Sequence, residues 1–164
     1  MTPAELKTLR EACGLSLPHL AALSGVQERT ARYWESGTSR IPADVSAMIA
    51  QLDAQLTLAA HQGVHVIAEQ ARAHPDQPLE IILIRYRTDA DLHRYRTDMQ
   101  ALPASTHAAI LYRTRAALES EGIPSRIVYM RPDDYEAWRG KRKDTEPLRA
   151  EWAAQQPLQG EQPA

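Results

Sequence analysis

Between Gly25 and Gly37 the chain reads Gly-Val-Gln-Glu-Arg-Thr-Ala-Arg-Tyr-Trp-Glu-Ser-Gly, and five of these side chains can make directional hydrogen bonds from one surface. At helical spacing Gln27, Glu28, Arg29, Arg32 and Tyr33 fall on an outer face, with Val26, Ala31 and Trp34 behind them. Arginine offers paired N–H donors that match O6 and N7 of guanine. Glutamine matches adenine, and glutamate accepts from N4 of cytosine. A short helix pinned from behind with such groups in front has the chemistry needed to read base edges in a DNA major groove. The same residues also have a purely local use, because Glu28 and Arg32 stand four apart and can pair on a solvated face.

Four helices are expected in the first sixty residues. Thr2-Pro3-Ala4-Glu5 has the form of a capping box with proline at the first helical position, and it opens a helix that ends near Gly14. Ser16 caps a second helix, Leu17 to Leu23, whose Leu20 and Ala21 point inward. Ser24-Gly25 makes the turn, where glycine reaches backbone angles closed to branched residues. The third helix runs from about Gln27 to Ser36, with Trp34 in the core and Glu35 available to pair with Arg10. After Ile41-Pro42 a longer helix starts at Ala43-Asp44 and carries Val45, Met48, Ile49, Leu52 and Leu56.

This order resembles the helix-turn-helix regulators of phage repressor and Cro type (XRE-like) over roughly residues 3 to 55. The residues that carry it are Leu15-Ser16, Leu20-Ala21, Gly25-Val26, Tyr33-Trp34-Glu35-Ser36-Gly37 and Ile41-Pro42. The run Tyr33 to Gly37, followed by Pro42 to Val45, is also similar to small phage-associated regulators, including the anti-CRISPR-associated autorepressors. The resemblance implies that Gln27, Glu28, Arg29 and Arg32 read bases and that Tyr33 and Arg40 meet phosphates. It departs from the family at Leu17, where a glutamine is frequent. The Ser16 hydroxyl and the free N–H groups of that turn can still meet a phosphate.

Charge sets the stoichiometry. Residues 1–52 hold five basic side chains (Lys7, Arg10, Arg29, Arg32, Arg40) and five acidic ones (Glu5, Glu11, Glu28, Glu35, Asp44), and the whole chain carries a formal −2. A neutral reading domain neutralises few phosphates and binds weakly as one copy. A homodimer on an inverted-repeat operator is therefore expected, with half-sites about one helical turn apart.

The remainder reads as a smaller α/β unit. The long helix continues to residue 73, with a break expected at Gly63, and His74 to Pro78 stops it. Leu79 to Tyr86 is a β-branched run that reads as a strand covered on both faces. Helical stretches follow at about Asp89 to Gln100 and Ser105 to Glu121. Ser125 to Met130 gives a second strand, and Pro132 to Trp138 opens a short helix. A strand, two helices and a strand predict a parallel crossover, and two strands are too few to stand alone, so this unit is assigned to dimerisation. The expected organisation is mainly α with a small α/β C-terminal part. It comprises a helix-turn-helix DNA-binding domain over 1–60, an α/β dimerisation domain over 61–140, and a disordered tail over 141–164, rich in Gln, Pro and Glu.

Other chemistry is thinly represented. The repeated Arg-Tyr-Arg-Thr-Asp at 85–89 and 94–98 interleaves cations and rings as RNA binders do, but Asp89, Asp91 and Asp98 lie among the arginines to pair with them. His61 and His65 lack a third ligand at a recognised spacing, and Cys13 is expected as a buried thiol. No phosphate loop, dinucleotide fingerprint or nucleophile elbow is present, so neither an enzyme nor a cofactor is expected. One cysteine and no apolar run near the ~18 residues of a membrane span predict a cytoplasmic protein. The expected function is a sequence-specific transcriptional regulator, a repressor bound to double-stranded DNA. The alternatives are an antitoxin with a toxin partner for its C-terminal half, and a regulator whose α/β unit binds a small molecule.

Overall fold

A computed structural model describes residues 1–73 and 80–156. Helix α1 (Pro3–Ala12) begins at the expected capping box: the Thr2 hydroxyl accepts from the Glu5 N–H, and the Glu5 carboxylate accepts from the Thr2 N–H at 2.6 Å. Helix α2 (Leu17–Leu23) is capped by Ser16, and α3 (Glu28–Glu35) follows a turn in which Gly25 has φ +66°. Leu6, Leu20, Ala31, Trp34 and Ile49 close over one another as the core of these three helices and the start of α4 (Ala43–Ala73).

Helix α4 runs 31 residues without interruption, so the break expected at Gly63 does not occur. Glycine costs a helix about 1 kcal/mol relative to alanine. Here that cost is offset because the adjacent Val64 and Ala68 are buried against Ala117 and Leu118 of α6 (Ala104–Ser120). A division of the chain at residue 60 falls inside this helix. Leu56 belongs to the N-terminal core and Val64 to the next cluster. The expected stop at His74 to Pro78 lies outside the described residues.

Strands β1 (Ile81–Arg85) and β2 (Ser125–Tyr129) pair in parallel, Ile81 opposite Ser125 through Arg85 opposite Tyr129. Between them come α5 (Asp89–Tyr95), a 3-10 turn (Thr97–Met99) and α6. The protein is thus mainly helical with a small parallel sheet. Alternation places Ile82 and Ile84 against Tyr86, Tyr95, Tyr135 and Trp152, and Ile81 and Leu83 against the α4–α6 cluster, so both faces of the sheet are covered.

The expected disordered tail is corrected over residues 146–154. After α7 (Pro132–Arg139), Thr145 caps a further helix, α8 (Glu146–Ala154), whose Arg149, Trp152 and Ala153 are buried. Averaged composition hid three inward residues at i, i+3 and i+4, the spacing of one helical face. Residues 157–164 lie outside the described residues.

The two halves meet closely at Gly14. Its φ is +68°, Ser105 Oγ donates to its carbonyl at 2.5 Å, and a Cβ there would stand 2.2 Å from the Ser105 carbonyl oxygen. Gly14→Ala is expected to destabilise the fold by more than the ~1–2 kcal/mol of a left-handed backbone alone. Gly63→Ala meets open space within a helix and should stabilise by up to ~1 kcal/mol. Urea denaturation of both variants checks this pair, and a Gly14→Ala protein as stable as the parent would refute the close approach.

One buried base sets a pH limit. Burial, reinforced by Arg96, pushes His107 on α6 down to about 4. The unfolded chain takes up this proton as pH falls below about 6.5, while the folded chain resists until about 4. The stability contributed is complete above pH 6.5 and drains away through that window, up to about 3 kcal/mol. Unfolding free energies at pH 7 and 4.5 should differ accordingly, and His107→Phe should flatten the difference.

Candidate nucleic-acid interface

The outward face of α3 is only as precise as the contacts that hold its back. Ala31 and Trp34 are buried, at 0% and 3% exposure. Behind the C-terminal end, Arg10 of α1 grips Glu35 in two-point fashion: Nε donates to Oε1 at 2.5 Å and Nη2 to Oε2 at 3.2 Å. The third arm of the guanidinium donates to the Leu15 carbonyl at 2.7 Å, so one side chain ties α1, the α1–α2 turn and α3 together. Donation to the Glu35 carboxylate raises the already high pKa of Arg10, and the cation is permanent. Both partners are largely withdrawn from water, with side chains 9% exposed. Glu35→Gln removes the two-point carboxylate and leaves this guanidinium only Glu11 as counter-charge, at 3.3 Å from Nη2, and should cost about 1–3 kcal/mol. Calorimetric melting checks this, and an unchanged transition would refute the clamp.

On the outer face Gln27, Glu28, Arg29 and Arg32 are exposed and Tyr33 is half-buried. Gln27 is the N-cap residue of α3, yet its side-chain amide makes no cap bond and is engaged by no partner among the described residues. Arg32 Nη2 donates to Glu28 Oε1 at 2.7 Å, the local pairing anticipated from their spacing. Arg29 Nε donates to the Tyr33 hydroxyl at 2.5 Å with its guanidinium carbon 5.2 Å from the ring centroid. These pairs are exposed and worth only a few tenths of a kcal/mol, so a better partner can displace them.

The other two nominated residues stand apart from α3. Ser16 is exposed, but its hydroxyl caps α2 by accepting from the His19 N–H and lies 2.8 Å from His19 Nδ1. Asp89 Oδ2 lies 4.0 Å from His19 Nε2, a carboxylate brought in from α5 that no local signal in the sequence announces. It disfavours a phosphate at this turn. Arg40 is exposed on the α3–α4 loop, beside Thr38 and Ser39, in a shallow depression that includes Met1 and Pro3. Loop serines and threonines carry no spacing signal, so the sequence alone does not single out these hydroxyls.

The chain matches no family model and no curated protein.

Several chemistry-bearing residues elsewhere are engaged by neighbours. In the repeated Arg-Tyr-Arg-Thr-Asp, Arg96 makes two hydrogen bonds to Asp98 at 2.9 and 2.8 Å, Arg94 pairs with Glu136 at 3.2 Å, and the Tyr95 hydroxyl donates to Glu136 at 3.0 Å. Asp89 accepts from the Ala104 N–H at 2.7 Å at the start of α6. Arg94 and Tyr95 are thus tied to α7 through Glu136, and Arg96 is held in place by Asp98. Cys13 is fully buried 3.9 Å from Asp53, and burial raises its thiol pKa, which favours the unreactive form. His65 faces Glu69 at 3.5 Å on the surface of α4.

Proposed function

We propose that this protein is a sequence-specific DNA-binding regulator, a homodimeric repressor that occupies an inverted-repeat operator and autoregulates. The observation that carries this reading is the row Gln27, Glu28, Arg29 and Arg32, exposed on a helix whose far side is buried and locked through Glu35 to Arg10. The α2–turn–α3 pair then acts as a helix-turn-helix, with α3 in the major groove and Arg40 reaching backbone phosphate. Net neutrality of the reading half favours two copies over one. Among the described residues the sheet has two strands, and Leu58, Tyr112 and Ile127 are exposed apolar residues of the kind a second copy can cover.

Selection of genomic fragments by the purified protein at near-physiological salt tests the reading. Recovery of one inverted-repeat motif is the expected result. A failure to enrich any motif would overturn it.

A further inference from the structure

A cleft of about 300 Å³ opens between α4, the β1 face, α6 and α8, and no residue of α3 lines it. Its floor is apolar: Ile82 and Ile84 of β1, Ile110 and Leu111 of α6. Its polar wall gathers Tyr86, Arg96, His107 and Arg149, residues scattered over sixty positions of sequence and brought together only by the crossover and α8. His107 is 5% exposed, and its Nδ1 has no hydrogen-bond partner among the described residues. A buried imidazole nitrogen left unpartnered costs stability unless something else satisfies it.

The remaining polar groups are mostly donors. Asp98 engages Nε and Nη2 of Arg96, which leaves the Nη1 hydrogens unspent among the described residues. Asp144 engages Nη1 of Arg149, whose side chain is 7% exposed, and leaves Nε and Nη2 without a partner among the described residues. Each arginine is held in place by an aspartate while still presenting N–H groups. Glu146, the acid among the lining residues, is exposed and can turn to solvent. Small-molecule sites combine an apolar floor with a few convergent polar groups, and volumes from roughly 300 Å³ upward suffice.

We propose that this cleft is a binding site for a small organic carboxylate, its apolar body on Ile82, Ile84 and Ile110 and its carboxylate among the free donors of Arg96 and Arg149. Paired N–H donors favour a planar oxyanion over a single-point acceptor. Tyr86 and the neutral His107 complete the polar end. This site is independent of the DNA-binding reading, since it shares no residue with α3.

The test uses the full chain with phenylacetate, 4-phenylbutyrate and octanoate as probes, and phenethylamine as a cationic control of similar shape. At least one carboxylate should raise the melting temperature in proportion to the logarithm of its concentration. It should also shift the methyl resonances of Ile82, Ile84 and Ile110, and phenethylamine should do neither. Arg96→Gln should weaken binding about tenfold or more. Ala150→Trp, a substitution at an exposed helical position on the rim, should block it with the fold intact. Binding by no carboxylate, methyl shifts confined to other residues, or affinity unchanged in both variants would each overturn the proposal.

Discussion

Replacement of Arg29 and Arg32 by alanine should lower affinity for the selected operator by roughly 30-fold to 10⁴-fold. Each bidentate contact to a base is worth about 1–3 kcal/mol of discrimination, and two lie on one face. Affinity for unrelated DNA should change far less, because that affinity comes from phosphate contacts. Folding stability should stay within about 0.5 kcal/mol, since the substitutions remove only exposed partners, the Glu28 carboxylate and the Tyr33 hydroxyl. Arg40→Ala should behave differently, weakening operator and unrelated DNA alike and reducing the salt slope. Binding isotherms on both DNAs at two salt concentrations separate these outcomes. Equal losses on operator and unrelated DNA for the double variant would remove α3 from base readout.

Trp152→Ala should cost about 3–5 kcal/mol, the usual range for deleting a fully buried large aromatic. Trp152 is 1% exposed, and its ring packs edge-on to Tyr135 with centroids 5.7 Å apart. Tyr135 in turn meets Tyr95 at 5.6 Å, so the loss opens a cavity among three rings rather than at a margin. Trp138 makes the matched control, being half-buried at the edge of the same cluster, and its alanine variant should cost distinctly less. Urea unfolding followed by far-UV circular dichroism compares the two. A Trp152→Ala protein as stable as the parent would mean that α8 does not seat there.

Most of the helical framework was legible because its signals are local. Thr2 and Glu5, Ser16, Gly25 and Pro132 mark helix ends through contacts within four residues, and those ends fall where they were expected. The Arg10–Glu35 pair was also legible, since α1 and α3 had to face one another across a small core. The misreadings arose where tertiary packing overrides local preference. Gly63 remains helical because α6 covers its neighbours, and residues 146–154 fold because Trp152 and Ala153 find a core built by Tyr86, Tyr95 and Tyr135. The carboxylate of Asp89 beside His19 and the wall of the cleft were invisible for the same reason: they exist only once α5, α6 and α8 have docked. On α3 the sequence supplied the identity and facing of each side chain, but not that the Gln27 amide would make no cap bond.

The unbroken α4 also governs how the protein comes apart. At 1.5 Å per residue its 31 residues span about 46 Å. In its middle turns Leu56, Ala60 and Val64 share one buried face, Leu56 in the N-terminal core and Val64 against α6, while residues 57–59 and 61–63 are exposed. Fraying of either half therefore strips cover from backbone hydrogen bonds that the other half needs. The amides of these turns should exchange with solvent only through global opening, and the chain should melt as one cooperative unit, not as two foldons in succession.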